Sequence, residues 1–147
     1  DNGYLAGDDT DSHIDTLARL CPGDTIVNAR CDNPADEHYA ALSAMEAELR
    51  DFRTAAGRPY RLVPLPWPQP CHDDDGQRLP ATYANFLIIN GAVLVPTYND
   101  PQDAAALTTL AKVFPHREII GINCRPLIVQ HGSLHCVTMQ IPQGVLP

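Results

Sequence analysis

The order strand, strand, helix, strand occurs twice along this 147-residue chain, and it constrains the fold more than any other feature. The first unit is predicted over about residues 13–65 and the second over about 83–123. A strand predicted over about 136–141 then begins a third unit. Repeated supersecondary units bury their apolar faces against neighbouring copies. We therefore expect an α/β fold that forms part of a larger, propeller-like assembly.

In the first unit, a hairpin is predicted between strands over residues 14–20 and 25–29, because residues 22–24 (PGD) are typical of a turn. Asn33 precedes a proline and two acidic residues, which predicts a helix start, and Gly57 predicts the end of that helix. Apolar residues spaced by three or four predict its buried face, formed by Tyr39, Leu42, Met45, Leu49 and Phe52. A strand over 61–65 completes the unit.

The second unit repeats this pattern around an Asn90-Gly91 turn, which favours a hairpin between strands over residues 84–89 and 92–96. A helix is predicted to begin at residues 99–103 and to reach about Val113, and a strand over 118–122 follows. Between the units, residues 66–76 are rich in proline and acid and are predicted to form an irregular loop.

The formal charge of −8 argues against nucleic acid and anionic membranes as partners and favours a small cationic ligand. Apolar runs stay shorter than the roughly 20 residues that span a bilayer. Five cysteines without a Cys-x-x-Cys pair suggest neither a disulfide framework nor a zinc site, so a reducing cytoplasm is expected. Because the chain begins at Asp1 without methionine, we expect that an N-terminal part of the natural protein precedes it.

Polar residues open the first strand of each unit: Asp11, His13 and Asp15 in the first, Asn85 in the second and Cys136 in the third. Units arranged around a common axis would bring these strand ends together. A thiol can then attack an electrophilic carbon while an imidazole transfers the proton. The competing interpretation is that each cysteine is a small buried hydrophobe and each histidine a solvated or hydrogen-bonded residue. His131 and His135, which flank Cys136 in sequence, are predicted to shape the site rather than to act as its base.

Three motifs carry a resemblance to a known family: residues 10–15 (TDSHID), residues 83–86 (YANF) with the following Asn-Gly turn, and residues 132–142 (GSLHCVTMQIP). In this order they resemble the agmatine deiminase and bacterial peptidylarginine deiminase family. The resemblance implies a pentein fold, a five-bladed α/β propeller with its active site on the axis.

The resemblance also implies roles for single residues. Cys136 would be the nucleophile, His13 the proton-transfer group and Asp15 the residue that holds the guanidinium, with Asp11 and Asn85 as further substrate-binding residues. No metal or organic cofactor is implied. The further carboxylates of the guanidinium clamp belong to the family's N-terminal half, so the 147 residues alone are expected to be inactive.

The leading hypothesis is thus hydrolysis of agmatine to N-carbamoylputrescine and ammonia, within putrescine biosynthesis. Peptidylarginine deimination and amidino transfer are the nearby alternatives. The alternative to an enzyme is a non-catalytic fragment that binds a partner, since an incomplete propeller exposes apolar edges to which a partner can bind. The expected partners are the guanidinium substrate and the N-terminal half of the domain, and a homodimer is a further alternative.

Overall fold

A computed structural model describes residues 3–8, 13–142 and 144–145 and shows a mixed α/β fold. Two three-stranded sheets each carry one helix, and a short two-stranded ladder lies between them in sequence. No helix in this described part of the chain is long and apolar enough to cross a membrane.

The first sheet contains strands β1 (Ala18–Cys21), β2 (Thr25–Ala29) and β3 (Arg61–Leu65) in that order. The β1–β2 hairpin is antiparallel, as predicted, with Cys21 opposite Thr25. Helix α1 (Tyr39–Asp51) connects β2 to β3, which run parallel to each other. The middle of the predicted helix face is buried, through Leu42, Met45 and Leu49, whereas its two ends are exposed.

The start of the first predicted strand is wrong. Ile14–Thr16 form a turn of 3₁₀-helix, and β1 begins only at Ala18. The amides of Thr16 and Leu17 donate to the carbonyls of His13 and Ile14 at 3.2 and 2.9 Å, which closes the turn. Leu17, which follows this turn, is only 1% exposed and belongs to the core.

Helix α1 is also shorter than predicted at both ends. The Asn33 side chain accepts a hydrogen bond from the amide of Ala35 at 3.1 Å, so it caps a preceding turn instead of the helix. At the other end Gly57, with a φ of 76°, closes a separate turn through its amide and the Thr54 carbonyl. Asn33 and Gly57 therefore form the turns before and after α1, and neither is the cap of the helix itself.

The connection between the sheets is less irregular than predicted, because β4 (Cys71–His72) pairs with β5 (Arg78–Leu79). The second sheet then follows with β6 (Leu87–Ile89), β7 (Ala92–Thr97) and β8 (Glu118–Asn123) in that order. Strands β6 and β7 form the predicted hairpin, and helix α2 (Asp103–Val113) links β7 to its parallel neighbour β8.

The strand predicted over residues 136–141 does not form in the described part of the chain. Residues 134–137 make a turn instead, and 138–142 continue without regular structure. Val137, Met139 and Ile141 are exposed by 52, 85 and 51%, so their side chains are not packed as those of a buried strand would be. The Gln140 side chain alone reaches the neighbouring sheet, donating to the Ile88 carbonyl at 2.9 Å.

A single core joins the two units and includes residues from both sheets and both helices. Direct polar contacts also cross between the units. The Thr82 hydroxyl donates to the Thr16 carbonyl at 2.7 Å, and the Arg19 guanidinium donates to the Phe86 carbonyl at 2.5 Å. Tyr98 is buried and bonds through its hydroxyl to the backbone of Thr82 and to Ser133. These contacts fix the segments that carry the polar residues of the site.

Residues 3–8 are fastened to the domain by a buried histidine. The His38 ring stacks on Tyr4 and lies 4.7 Å from the Trp67 ring, between centroids. Its Nε2 accepts from the amide of Ala6 at 2.9 Å, so its Nδ1 carries the proton and donates to Asp36 at 2.6 Å. Burial lowers the pKa of His38, which favours this neutral form.

Candidate active site

Asn85 lies at the centre of the polar cluster that the two units form. Asn85 lies two residues before β6, in a buried segment. Its side chain is fully buried. Its Nδ2 donates to the Asp15 carboxylate at 3.0 Å and to the Asp15 carbonyl at 3.3 Å. The 3₁₀ turn at residues 14–16 presents Asp15 toward this amide, so a turn that the sequence did not predict sets the position of the carboxylate.

Cys136 lies on the turn at residues 134–137 and is exposed. Its Sγ lies 3.3 Å from Asn85 Nδ2 and 3.9 Å from Asp15 Oδ2. Thr138 closes the turn, since its amide and hydroxyl both donate to the His135 carbonyl, at 3.0 and 2.8 Å. Three of the predicted site residues, Cys136, Asp15 and Asn85, are therefore in direct contact although they are far apart in sequence.

The ring of His135, which was expected to shape the site, also contacts this cluster. Its Nδ1 lies 2.7 Å from Asp15 Oδ2, and both side chains are about a quarter exposed, at 26 and 22%. In an extended strand, neighbouring side chains point to opposite faces, so a strand that included both His135 and Cys136 would have separated their side chains. On a turn both can reach the same carboxylate.

Within the described residues, no hydrogen bond joins the His13 ring to this cluster. His13 is exposed and precedes the 3₁₀ turn, where its carbonyl, rather than its ring, accepts hydrogen bonds from Thr16. Among the hydrogen bonds of the described residues, the His13 ring contacts neither Cys136 nor Asp15. Asp11 lies outside the described residues.

A positive charge lies close to the cluster. Burial lowers the pKa of the Arg19 guanidinium, and the nearby Asp15, Cys21 and Cys136 oppose that effect. The Arg19 guanidinium carbon also stands 5.0 Å from the centre of the Phe86 ring, so it bonds and packs against the residue that follows Asn85. Arg19 thus links β1 to the segment that carries Asn85.

Cys136 differs from the other four cysteines in its exposure. Cys31 and Cys124 are buried, and Cys21 and Cys71 are half-buried. Burial raises the pKa of Cys21 to about 11 and also raises the pKa of Cys31, Cys71 and Cys124. Burial therefore favours the protonated form of these four thiols, and Cys136 is the exposed candidate nucleophile.

An open cleft of about 670 Å³ is lined in part by Asp15. Its walls include the exposed apolar side chains of Ile14, Leu20 and Phe52, together with Arg19. No group of three His, Cys, Asp or Glu side chains within the described residues is placed to hold a metal ion. The cluster can nevertheless combine a carboxylate that binds a cation with a thiol that attacks it.

An α/β chain with an exposed thiol beside a hydrogen-bonded carboxylate has the elements of a site for thiol-dependent nucleophilic chemistry. The family model for Porphyromonas-type peptidyl-arginine deiminases matches residues 1–142. The chain belongs to this family.

Relatives and solved structures agree with that assignment. An agmatine deiminase from Pseudomonas putida is 33% identical over 159 residues, covering 96% of this chain. A crystal structure from Porphyromonas gingivalis, named as a candidate arginine deiminase, shares 64% identity and a TM-score of 0.94 over 97% of this chain. A Cys-to-Ser variant of C. jejuni agmatine deiminase, solved with substrate bound, shares 44% identity and a TM-score of 0.84 over 92% of it.

The chain spans less than half the length of each of these proteins. It covers 43% of the P. putida enzyme, 42% of the P. gingivalis chain and 38% of the C. jejuni chain.

Proposed function

We propose that this chain carries the nucleophile and one guanidinium-binding carboxylate of a deiminase that hydrolyses agmatine to N-carbamoylputrescine and ammonia. The observation that carries the proposal is the placement of Cys136 Sγ 3.9 Å from Asp15 Oδ2, with Asn85 bonded to both. Relatives named as agmatine deiminases, and a substrate complex of one that carries a Cys-to-Ser substitution, support it.

In the proposed reaction, Asp15 accepts paired N–H bonds from the planar guanidinium and places its carbon next to Cys136. A cation beside a thiol favours the thiolate, so substrate binding itself promotes the attacking form. The carboxylate and the sulfur therefore act together: one orients the cation and the other attacks its carbon.

The thiolate forms a C–S bond to the guanidinium carbon, and an imidazolium protonates the departing nitrogen, which leaves as ammonia. Water then attacks the resulting amidino-thioether, gives its proton to the neutral imidazole and releases the ureido product as the C–S bond breaks. We assign proton transfer to His13 and assign His135 to orienting Asp15. The fold that completes the site in this proposal is a pentein propeller, whose remaining carboxylates come from residues outside this chain.

The family name and the P. gingivalis structure favour a second candidate, deimination of arginine or of an arginyl peptide. All three substrates place the same guanidinium at the thiol. They differ only in what lies beyond it, so both candidates use Cys136 and Asp15 in the same roles.

The test is ammonia release by the full-length protein from agmatine, free arginine and an arginyl peptide. Cys136→Ala should reduce release by at least about 10³-fold, the scale expected when a covalent nucleophile is lost. Cys71→Ala, which removes a half-buried thiol, is the matched control and should keep wild-type release. Unchanged release in Cys136→Ala would refute the nucleophile, and release from arginine or peptide alone would replace agmatine by the second candidate. An absence of release from all three would favour the binding fragment.

A further inference from the structure

Asn85 connects two segments of the site that are distant in sequence. Its Oδ1 accepts from the amides of His135 and Cys136, at 2.8 and 3.3 Å. Its Nδ2 donates to Asp15 and to the sulfur of Cys136. The backbone carbonyl of Asn85 is engaged as well, by the amide of His135 at 3.2 Å.

The hydrogen-bonding capacity of the Asn85 amide is used up by the protein. An asparagine amide has two N–H donors and two acceptor lone pairs. Here Oδ1 faces the two backbone amides, and the two N–H donors face Asp15 and Cys136. When Cys136 is a thiol, its S–H can also donate to Oδ1 at 3.5 Å, whereas a thiolate can only accept from Nδ2. The opposite amide orientation would set its NH₂ against two N–H groups, so the network fixes the assignment. Since the side chain is also fully buried, none of its polar atoms is left for a substrate.

The same network bears directly on the sulfur. An N–H donated to a thiolate stabilises the charged form, whereas a carboxylate at that position would repel it. The amides of His135 and Cys136, held by Oδ1, fix the turn that carries the sulfur. The bond to Asp15 holds the carboxylate on the other side.

We propose that Asn85 is a positioning residue, which fixes Cys136 and Asp15 relative to each other and stabilises the thiolate. It is then not the substrate-binding residue that the sequence suggested. The part concerning catalysis rests on the proposed function. The part concerning the thiol does not, because the reactivity of Cys136 can be measured without substrate.

The experiment is alkylation of the full-length protein by iodoacetamide across pH 5–10, with labelling of Cys136 quantified on its own peptide. Asn85→Asp replaces the N–H donor by a charged oxygen of the same shape. It should slow labelling at pH 7 by at least about tenfold and move the midpoint of the pH profile upward, while melting temperature confirms folding. If Asn85→Asp is unfolded, Asn85→Ala removes the donor without adding charge and should slow labelling in the same direction.

Asn28→Asp is the matched control, because Asn28 is equally buried but donates to Ala29 and Glu46, away from the site. It should leave the Cys136 profile unchanged. A folded Asn85 variant with the wild-type profile would overturn the proposal whether or not the protein is a deiminase. In an active enzyme, Asn85→Ala should lower kcat at least about tenfold with KM within about threefold. A raised KM with unchanged kcat and labelling would make Asn85 a substrate-binding residue.

Discussion

Replacing Arg78 by methionine removes the guanidinium that faces the buried carboxylate of Asp36. In the native structure Arg78 bonds Asp36 Oδ2 at 2.9 Å and Glu37 at 2.9 Å, and the side chains of Arg78 and Asp36 are 16 and 8% exposed. Asp36 in turn accepts the amide and the ring N–H of His38, the histidine that fastens residues 3–8. The substitution therefore tests the electrostatic support of that attachment.

The size of the effect follows from the pKa of Asp36. Burial alone would raise this pKa, but the hydrogen bonds from Arg78 and His38 outweigh burial and lower it from 3.8 to about 2. Because the folded pKa lies below the unfolded one, ionised Asp36 stabilises the fold above about pH 4, and that stability is lost as pH falls toward 2. At about 1.4 kcal/mol per pKa unit, the contribution is about 2 kcal/mol at pH 7 and about 1 kcal/mol at pH 3.

Urea unfolding of the 147-residue chain can be followed by the fluorescence of Trp67, its single tryptophan, whose ring lies 4.7 Å from that of His38. We expect Arg78→Met to lower the free energy of unfolding by about 2–3 kcal/mol at pH 7 and by about half as much at pH 3. Arg58→Met is the control, since Arg58 pairs with Asp24 at the surface with 65 and 46% exposure, and it should cost about 0.5 kcal/mol or less. An Arg78→Met deficit equal to the control, or one that stays constant between pH 7 and pH 3, would refute the reasoning.

Two further substitutions, each with a control, test close packing and buried hydrogen bonding in the domain. Gly7→Ala should cost at least about 2 kcal/mol in thermal or urea unfolding, because Gly7 has a φ of 80° and an added Cβ would lie 2.2 Å from the Arg78 carbonyl oxygen. Gly57→Ala, with a φ of 76° and open space around the added Cβ, should cost only about 1 kcal/mol, and equal losses would contradict the steric argument. Tyr98→Phe should cost about 1–3 kcal/mol because it leaves buried polar groups unpaired, whereas the exposed Tyr39→Phe should stay within about 0.5 kcal/mol. A tolerated Tyr98→Phe would show that its hydroxyl network contributes little.

The elements that the sequence predicted well depend on local chemistry. The turns at residues 22–24 and at Asn90-Gly91 join antiparallel strands as expected, because proline, glycine and asparagine select turn conformations regardless of distant contacts. The start of α1 was placed too early for a related reason, whereas α2 begins at Asp103, within the predicted start at residues 99–103. Asn33 and Asp100 do accept backbone amides, but those amides belong to turns ahead of each helix.

Features that depend on distant partners could not be predicted in the same way. Residues 136–141 have the composition of a strand, yet the described structure gives them no ladder partner. The contact between His135 and Asp15 depends on the turn that replaces that strand. The repeat and the family resemblance both led us to expect that Asp15, Asn85 and Cys136 lie close together. The distances between them depend on the turns at residues 14–16 and 134–137, which neither the repeat nor the resemblance predicted. The roles assigned to these residues, to His13 and to Asp11 stay predictions.

The position of Cys136 on a turn, outside the sheets, separates the tuning of its reactivity from the integrity of the fold. A residue inside a strand cannot shift without changing the register of its neighbours, and a shift of one position reverses every side chain. The turn at residues 134–137 is held instead by a few side-chain and amide contacts, chiefly those of Asn85 and Thr138. Substitutions there can move the sulfur by small steps at little cost to the two sheets. The position of the Cys136 thiol can therefore be adjusted by mutations in this turn with little change to the strands and helices of the domain.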